Sequence, residues 1–127
     1  MFFVYGMHWQ LNFTAGEKGE GQAVLIRALE PAGTQGRSLL SLRQGPALLI
    51  AASGPGRAAK FLNADGSFYG EDLTSSERIW VEDGGIKLED KKIVSAKRVG
   101  IDYAQEWKNK KLRFYIKGNK SVSKMDR

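Results

Sequence analysis

The sequence contains no cysteine and a single histidine, His8. Without thiols there is no disulfide, zinc ribbon, iron–sulfur cluster or cysteine nucleophile, and one imidazole cannot build a histidine-rich metal centre. Carboxylates alone would remain for magnesium or calcium, yet the D-x-D-x-D-G pattern of a calcium loop does not occur. No metal and no other cofactor is therefore expected. Long apolar runs are missing too: the longest, "AVLI" and "ALLIAA", fall far short of the roughly 18 residues that cross a bilayer. The first dozen residues are apolar, but Tyr5-Gly6, His8, Gln10 and Asn12 interrupt them and no basic segment precedes them. That pattern argues against a secretory signal and leaves a cytoplasmic address, nucleoid-associated in a bacterium, as the default. A Ser–His–Asp set, a P-loop and a dinucleotide fingerprint are likewise absent, since "GPGR" opens a helix but follows a helix-like segment where a strand is needed.

What is present describes an ordinary folded protein. The 127 residues, 42% hydrophobic and 27% charged, suit one domain spanning 1–127 with a modest core. The net charge of +6 is unevenly placed: residues 87–127 hold thirteen Lys or Arg against five acids, whereas residues 1–86 hold seven against nine. A basic face of this kind either solvates the fold or attracts a polyanion, nucleic acid above all, by releasing the counterions condensed on phosphates.

Along the chain, "MFFVYGMHWQLNFT" reads as two short extended runs meeting near Tyr5-Gly6-Met7, a hairpin with Tyr5 near its tip. "AGEKGEGQ" is a turn, and "AVLIRAL" reads as a buried strand in which Arg27 is conspicuous, because a buried guanidinium is costly unless paired or facing a site. "EPAGTQGRS" is a loop, and residues 38–52 are helix-compatible with a break at Gly45-Pro46. In "SGPGRAAKFLN" Ser53 or Gly54 caps a helix, Pro55 fits its first turn, and Ala58, Phe61 and Leu62 supply the buried face. "ADGSFYGED" is a turn-rich loop. "RIWVED" and "KIVSAKRVGI" resemble strands separated by a turn at Asp83-Gly84-Gly85, and "AQEWKNKKL" a short basic helix before the strand-like "RFYI". The expectation is an α+β fold: a curved, mainly antiparallel sheet, a protruding N-terminal β-hairpin and a few short helices.

Taken alone, the residues support a basic nucleic-acid-binding domain. Lys108, Lys110, Lys111 and Arg113, interleaved with Trp107, Phe114 and Tyr115, form a patch that lines a DNA track or solvates the last helix. Gly54 and Gly56 shape a helix start whose amides are able to receive a phosphate. Asn12 in an apolar strand satisfies a neighbouring backbone group, and Arg27 is free to pair with Glu30. His8 has a packing or surface role open to it.

Three segments carry a resemblance. "VYGMHWQLNFTAGEKGEGQAVLIRALEP" resembles the hairpin and strand of the methylpurine-DNA (3-methyladenine) glycosylases, "SGPGRAAKFLN" with the following "EDL" their Gly-Pro-Gly helix, and "RVGIDYAQEWKNKKLRFYIKGNKSVSK" their closing block. The order is the family's along almost the whole chain. The resemblance implies a monofunctional glycosylase that flips alkylated or deaminated purines out of duplex DNA and hydrolyses the bond to the sugar. In it Tyr5 is the ring inserted into the stack, Asn12 the pocket amide that contests space with guanine's exocyclic amine, and Arg27 the residue that holds the attacking water and a phosphate. Phe2 stands where a pocket tyrosine is usual; its ring still stacks on an alkylated purine but lacks the hydroxyl's hydrogen bond. Met7 and His8 follow the wedge, where backbone and imidazole meet phosphate.

One departure matters. The resemblance places a general-base glutamate upstream of the wedge, together with a stacking tyrosine and a pocket histidine, and only four residues precede Tyr5. No lysine has the context of a Schiff-base nucleophile. The expectation is a shortened form with little or no excision activity, whose uncovered sheet edge invites self-association where the family is monomeric. A non-catalytic DNA-binding remnant and a small basic RNA-binding protein are the rival readings.

Overall fold

The computed structural model describes residues 1–30 and 52–123. Its chain separates into two compact units, Met1–Val81 and Glu82–Arg127. The helix expected over 38–52, apart from Ala52, and the loop through Pro31, Gly33 and Gly36 lie outside the described residues.

The first unit opens with strands β1 (Phe2–Val4) and β2 (His8–Gln10), paired antiparallel as the sequence indicates. Phe3 lies directly opposite Trp9, and their tilted rings are 4.8 Å apart. Strand β3 (Asn12–Ala15) continues β2 past Leu11 and pairs instead with β4 (Gln22–Leu25). Leu11, only 5% exposed, is the corner at which one extended chain changes partner. Beyond β4 the chain makes a second hand-over. Ile26 N–H still donates to Leu11 O at 3.0 Å, while Arg27 O accepts from Gly54 N–H at 2.9 Å and Leu29 N–H donates to Ala52 O at 3.2 Å. The segment after β4 thus joins the hairpin region to the start of the helix.

That helix, α1 (Pro55–Phe61), begins with proline at its first turn, where no N–H partner is needed. It ends in the way a left-handed cap dictates. Asn63 has φ +53°, Asn63 N–H donates to Lys60 O and Ala64 N–H reaches back to Ala59 O, which satisfies carbonyls the last turn would leave open. Ala58 and Ala59 form its buried face, joined in the core by Ala52 and Ala64. Such small side chains let backbones approach closely. A Cβ on Gly66 would lie 2.7 Å from Trp9 Cη2, and one on Gly56 would lie 3.3 Å from the His8 ring. Phe61 and Leu62, expected at the buried face, are half-buried and 41% exposed respectively.

Past the helix, a 3-10 turn at Gly66–Phe68 is capped by Asp65, whose carboxylate accepts Ser67 N–H at 2.9 Å. Arg78 then ties the loop together: its guanidinium pairs with Glu71, donates to Ser67 O at 3.1 Å and lies 4.2 Å over the Phe68 ring. This is why "RIWVED" forms no strand. Ser76 Oγ accepts from the N–H groups of both Arg78 and Ile79, so the backbone there is committed to the loop and not to a ladder.

The second unit holds β5 (Ile93–Ala96) and β6 (Arg113–Ile116), paired antiparallel, with 3-10 turns at Asp90–Lys92 and Gln105–Asn109. The strand expected over "KIVSAKRVGI" is confined to its first half, and the expected basic helix is the single 3-10 stretch at Gln105–Asn109, entered at Gln105 with φ +44°. The Asp83 turn forms as expected, its carboxylate accepting Gly85 N–H at 2.8 Å. All strand pairs are antiparallel and one α-helix accompanies them among the described residues, so the fold is α+β, with its pairing divided among three two-stranded ladders. The strand in "AVLIRAL" exists but is not buried: Val24 is 54% exposed. An apolar run records the tendency to be covered, and a two-stranded ladder leaves a face open. No helix among the described residues is long and apolar enough to cross a membrane.

The Trp9–Gly66 approach makes a direct test possible. With Phe3 packed against the indole, Trp9 has little room to retreat, so Gly66→Ala is expected to destabilise the first unit by about 1–3 kcal/mol through overpacking. Gly21→Ala, where a Cβ meets nothing within 4 Å, should change stability by less than about 0.5 kcal/mol. Thermal or urea melts of the two variants distinguish the two outcomes.

Candidate nucleic-acid interface

The hairpin tip is built to project a ring. Tyr5 and Gly6 both adopt left-handed backbone, φ +55° and +64°, and Met7 N–H closes the turn on Val4 O at 3.3 Å. Glycine adopts this conformation freely, whereas a tyrosine there is strained by about 1–2 kcal/mol. Tyr5 is 85% exposed and Met7, beside it in the turn, 69%. Phe2, 65% exposed, lies at the open end of the same hairpin, where it pairs with Gln10.

Asn12 opens β3, and Arg27 follows β4 by two residues. Asn12 pairs with Leu25, and the bonds from Ile26 to Leu11 and from Gly54 to Arg27 keep the chain extended past that point. Asn12 and Arg27 are both half-buried. Asn12 Nδ2 donates to Gln10 O at 3.4 Å, a long bond that satisfies a neighbouring backbone group and leaves the amide oxygen uncommitted to it.

A cleft of about 340 Å³ adjoins the tip in the first unit, lined among others by Met7, His8, Trp9, Lys60, Asn63 and Asp65. Lys60 and Asn63 were not singled out from the sequence, where Lys60 reads as one more charge on a helix surface. The left-handed cap at the end of α1 is what brings Asn63 to the cleft, and Trp9, packed against Gly66, is part of its wall. Gly56 faces the His8 ring, so its glycine serves close packing there.

In the second unit Lys108, Lys110 and Lys111 are exposed, and Lys110 Nζ lies 3.5 Å over the ring of Trp107. Phe114 is 65% exposed and Tyr115 half-buried. Arg113 does not belong with the lysines. It is 6% exposed, donates Nε to Lys97 O at 3.0 Å and stacks 4.7 Å over Tyr115. Its position opposite Ala96 in the ladder turns it inward, so it holds the strand pair together where the sequence patch suggested contact with a partner. No group of three or more metal-ligating side chains occurs among the described residues.

In the first unit three carboxylates are held below their ordinary range. The Ser67 hydrogen bonds lower Asp65, the Arg78 guanidinium lowers Glu71 with help from Ser76, and the Thr74 N–H and hydroxyl lower Asp72.

The family profile described as methylpurine-DNA glycosylase (MPG) matches residues 1–120. A human protein named DNA-3-methyladenine glycosylase is 36% identical over 135 residues, covering 100% of this chain and 45% of its own length. Relatives named for 3-methyladenine DNA glycosylase in Desulfitobacterium hafniense and Borreliella burgdorferi are 42% and 41% identical, covering 97% and 98% of this chain and 63% and 61% of theirs. The chain thus spans between about half and two thirds of the length of the relatives it matches.

The depressed carboxylates have a consequence with a definite sign. A group whose pKa is lower when folded stabilises the fold fully above its unfolded pKa, near 4 for Asp and Glu, and loses that contribution as pH falls through the folded value. The melting temperature is therefore expected to fall below about pH 4.5. Glu71→Gln should lower it at neutral pH and flatten the acid limb; an unchanged acid limb contradicts the Arg78–Glu71 tie.

Proposed function

Because the chain belongs to the methylpurine-DNA glycosylase family, we propose that it engages duplex DNA carrying an alkylated or deaminated purine, with Tyr5 entering the stack as the damaged nucleotide leaves it. The observation that carries this reading is the exposed, left-handed Tyr5 at the apex of a hairpin that the core holds from behind. A rigid ring with two χ angles fills the vacated space at small entropic cost.

The extruded base goes to the end of the β3–β4 ladder, beside Asn12 and Arg27. Phe2 supplies a stacking ring, which favours an electron-poor alkylated purine. The Asn12 amide occupies the space that guanine's exocyclic amine needs, which disfavours that undamaged base. Arg27 holds a phosphate and orients water toward the anomeric carbon. The bond broken is the N-glycosidic bond, the bond formed is from water oxygen to that carbon, and a general base takes the water's proton.

Fluorescence anisotropy with hypoxanthine-containing and undamaged duplexes tests the wedge. The wild-type chain should prefer the lesion duplex. Tyr5→Ala should reduce that preference about tenfold, since an aromatic side chain stacked on a base contributes roughly 1–3 kcal/mol. Equal preference in the variant contradicts the wedge.

A further inference from the structure

The cleft beside the hairpin tip has a polar character that the wedge reading leaves unused. Lys60, in the last turn of α1, has no ion-pair or hydrogen-bond partner for its ammonium among the described residues. His8 and Asn63, on the same cleft, likewise show no side-chain hydrogen bond there. The cleft's carboxylate, Asp65, is already engaged by Ser67 N–H. The uncommitted groups are therefore an ammonium, an imidazole and an amide, each able to donate to an oxygen anion. An ammonium acts on phosphate as a compact point charge and needs no bidentate geometry.

Position adds the second argument. Met7 and His8 line the cleft and follow Tyr5-Gly6 directly, so His8 lies within about 10 Å of Tyr5 along the chain, at roughly 3.3–3.6 Å per residue. Each DNA strand carries a phosphate every ~3.4 Å of helix axis, so a ring inserted between base pairs has backbone phosphates on both sides of it. We propose that this cleft seats a phosphodiester of the strand next to the inserted ring, with Lys60 as its cation and His8 and Asn63 as further donors. The seat rests on the reading of Tyr5 as the wedge. At about 340 Å³ the cleft takes a phosphate together with part of its sugar, which packs on Trp9. Asp65, which also lines the cleft, is negative and repels phosphate, which leaves the Lys60 side for the strand.

The test is the salt dependence of binding to a hypoxanthine duplex by the wild type, Lys60→Ala, Lys60→Arg, Lys18→Ala and Tyr5→Ala. Loss of one phosphate contact lowers the slope of log K against log salt by about 0.9. That drop is expected for Lys60→Ala, with Lys60→Arg retaining the wild-type slope and Lys18→Ala, an exposed turn lysine, leaving it unchanged. A duplex with a neutral methylphosphonate at the phosphate flanking the lesion should weaken the wild type but not Lys60→Ala. Inorganic phosphate at constant ionic strength should not compete; competition would assign the cleft to a free anion and overturn the DNA seat. An unchanged slope in Lys60→Ala, or an equal drop in Lys18→Ala, overturns the proposal while Tyr5-sensitive lesion binding still upholds the wedge. Binding indifferent to both Tyr5→Ala and the lesion overturns the wedge, and the phosphate seat with it.

Discussion

The contact on which the first unit depends is the approach of the Trp9 indole to the backbone of Gly66, closer than any side chain at position 66 would permit. Strands β1 and β2 have three residues each, and a hairpin of that size is marginal in water without something to pack on. Here it packs on a surface of small residues. Ala52, Ala58, Ala59 and Ala64 are nearly inaccessible, and among the described residues no large side chain is fully buried. Stability therefore comes from backbone proximity more than from bulky apolar volume, and close packing of this kind tolerates added atoms poorly.

The functional reading draws on the same economy. A side chain that is to enter stacked bases must be held from behind, because motion in the hairpin would spend the stacking energy on ordering it. Phe3 and Trp9 brace the tip from one ladder position below it, and Leu11 passes the chain on to the ladder bearing Asn12 and, two residues past Leu25, Arg27. Tyr5 and Asn12, proposed as wedge and pocket wall, thus lie on one continuous stretch of chain. The left-handed Tyr5 is a local cost that the packed hairpin holds in place. In the second unit Lys108, Lys110 and Lys111 are exposed, and exposed cations of this kind attract phosphate irrespective of base sequence.

The hairpin apex at Tyr5-Gly6, the turn after Ala15 and the helix opening at Pro55 were all legible, because each is governed by residues adjacent in sequence: a glycine in left-handed backbone, a proline at the first helical turn. What escaped is governed by partners far along the chain. Arg113 sits among lysines in sequence and reads as one of them, yet its place opposite Ala96 turns it into the strand pair. "RIWVED" has a strand's composition, but Ser76 and Glu71 claim its first residues. Lys60 carries no local signal, and only the cap at Asn63 and the wall at Trp9 make a cleft beside it. For Asn12, the reading taken from the residues alone is the one seen: its amide N–H₂ serves the Gln10 carbonyl.

Placing Tyr5 inside the duplex is the central claim, and a fluorescent base reports on it most directly. A duplex with 2-aminopurine next to hypoxanthine is quenched while the bases are stacked. Titration with the protein should raise its emission as the stack opens, and Tyr5→Ala, folded to the same extent by circular dichroism, should bind without that rise. An equal rise with the variant, or none with the wild type at saturation, would contradict insertion of the ring.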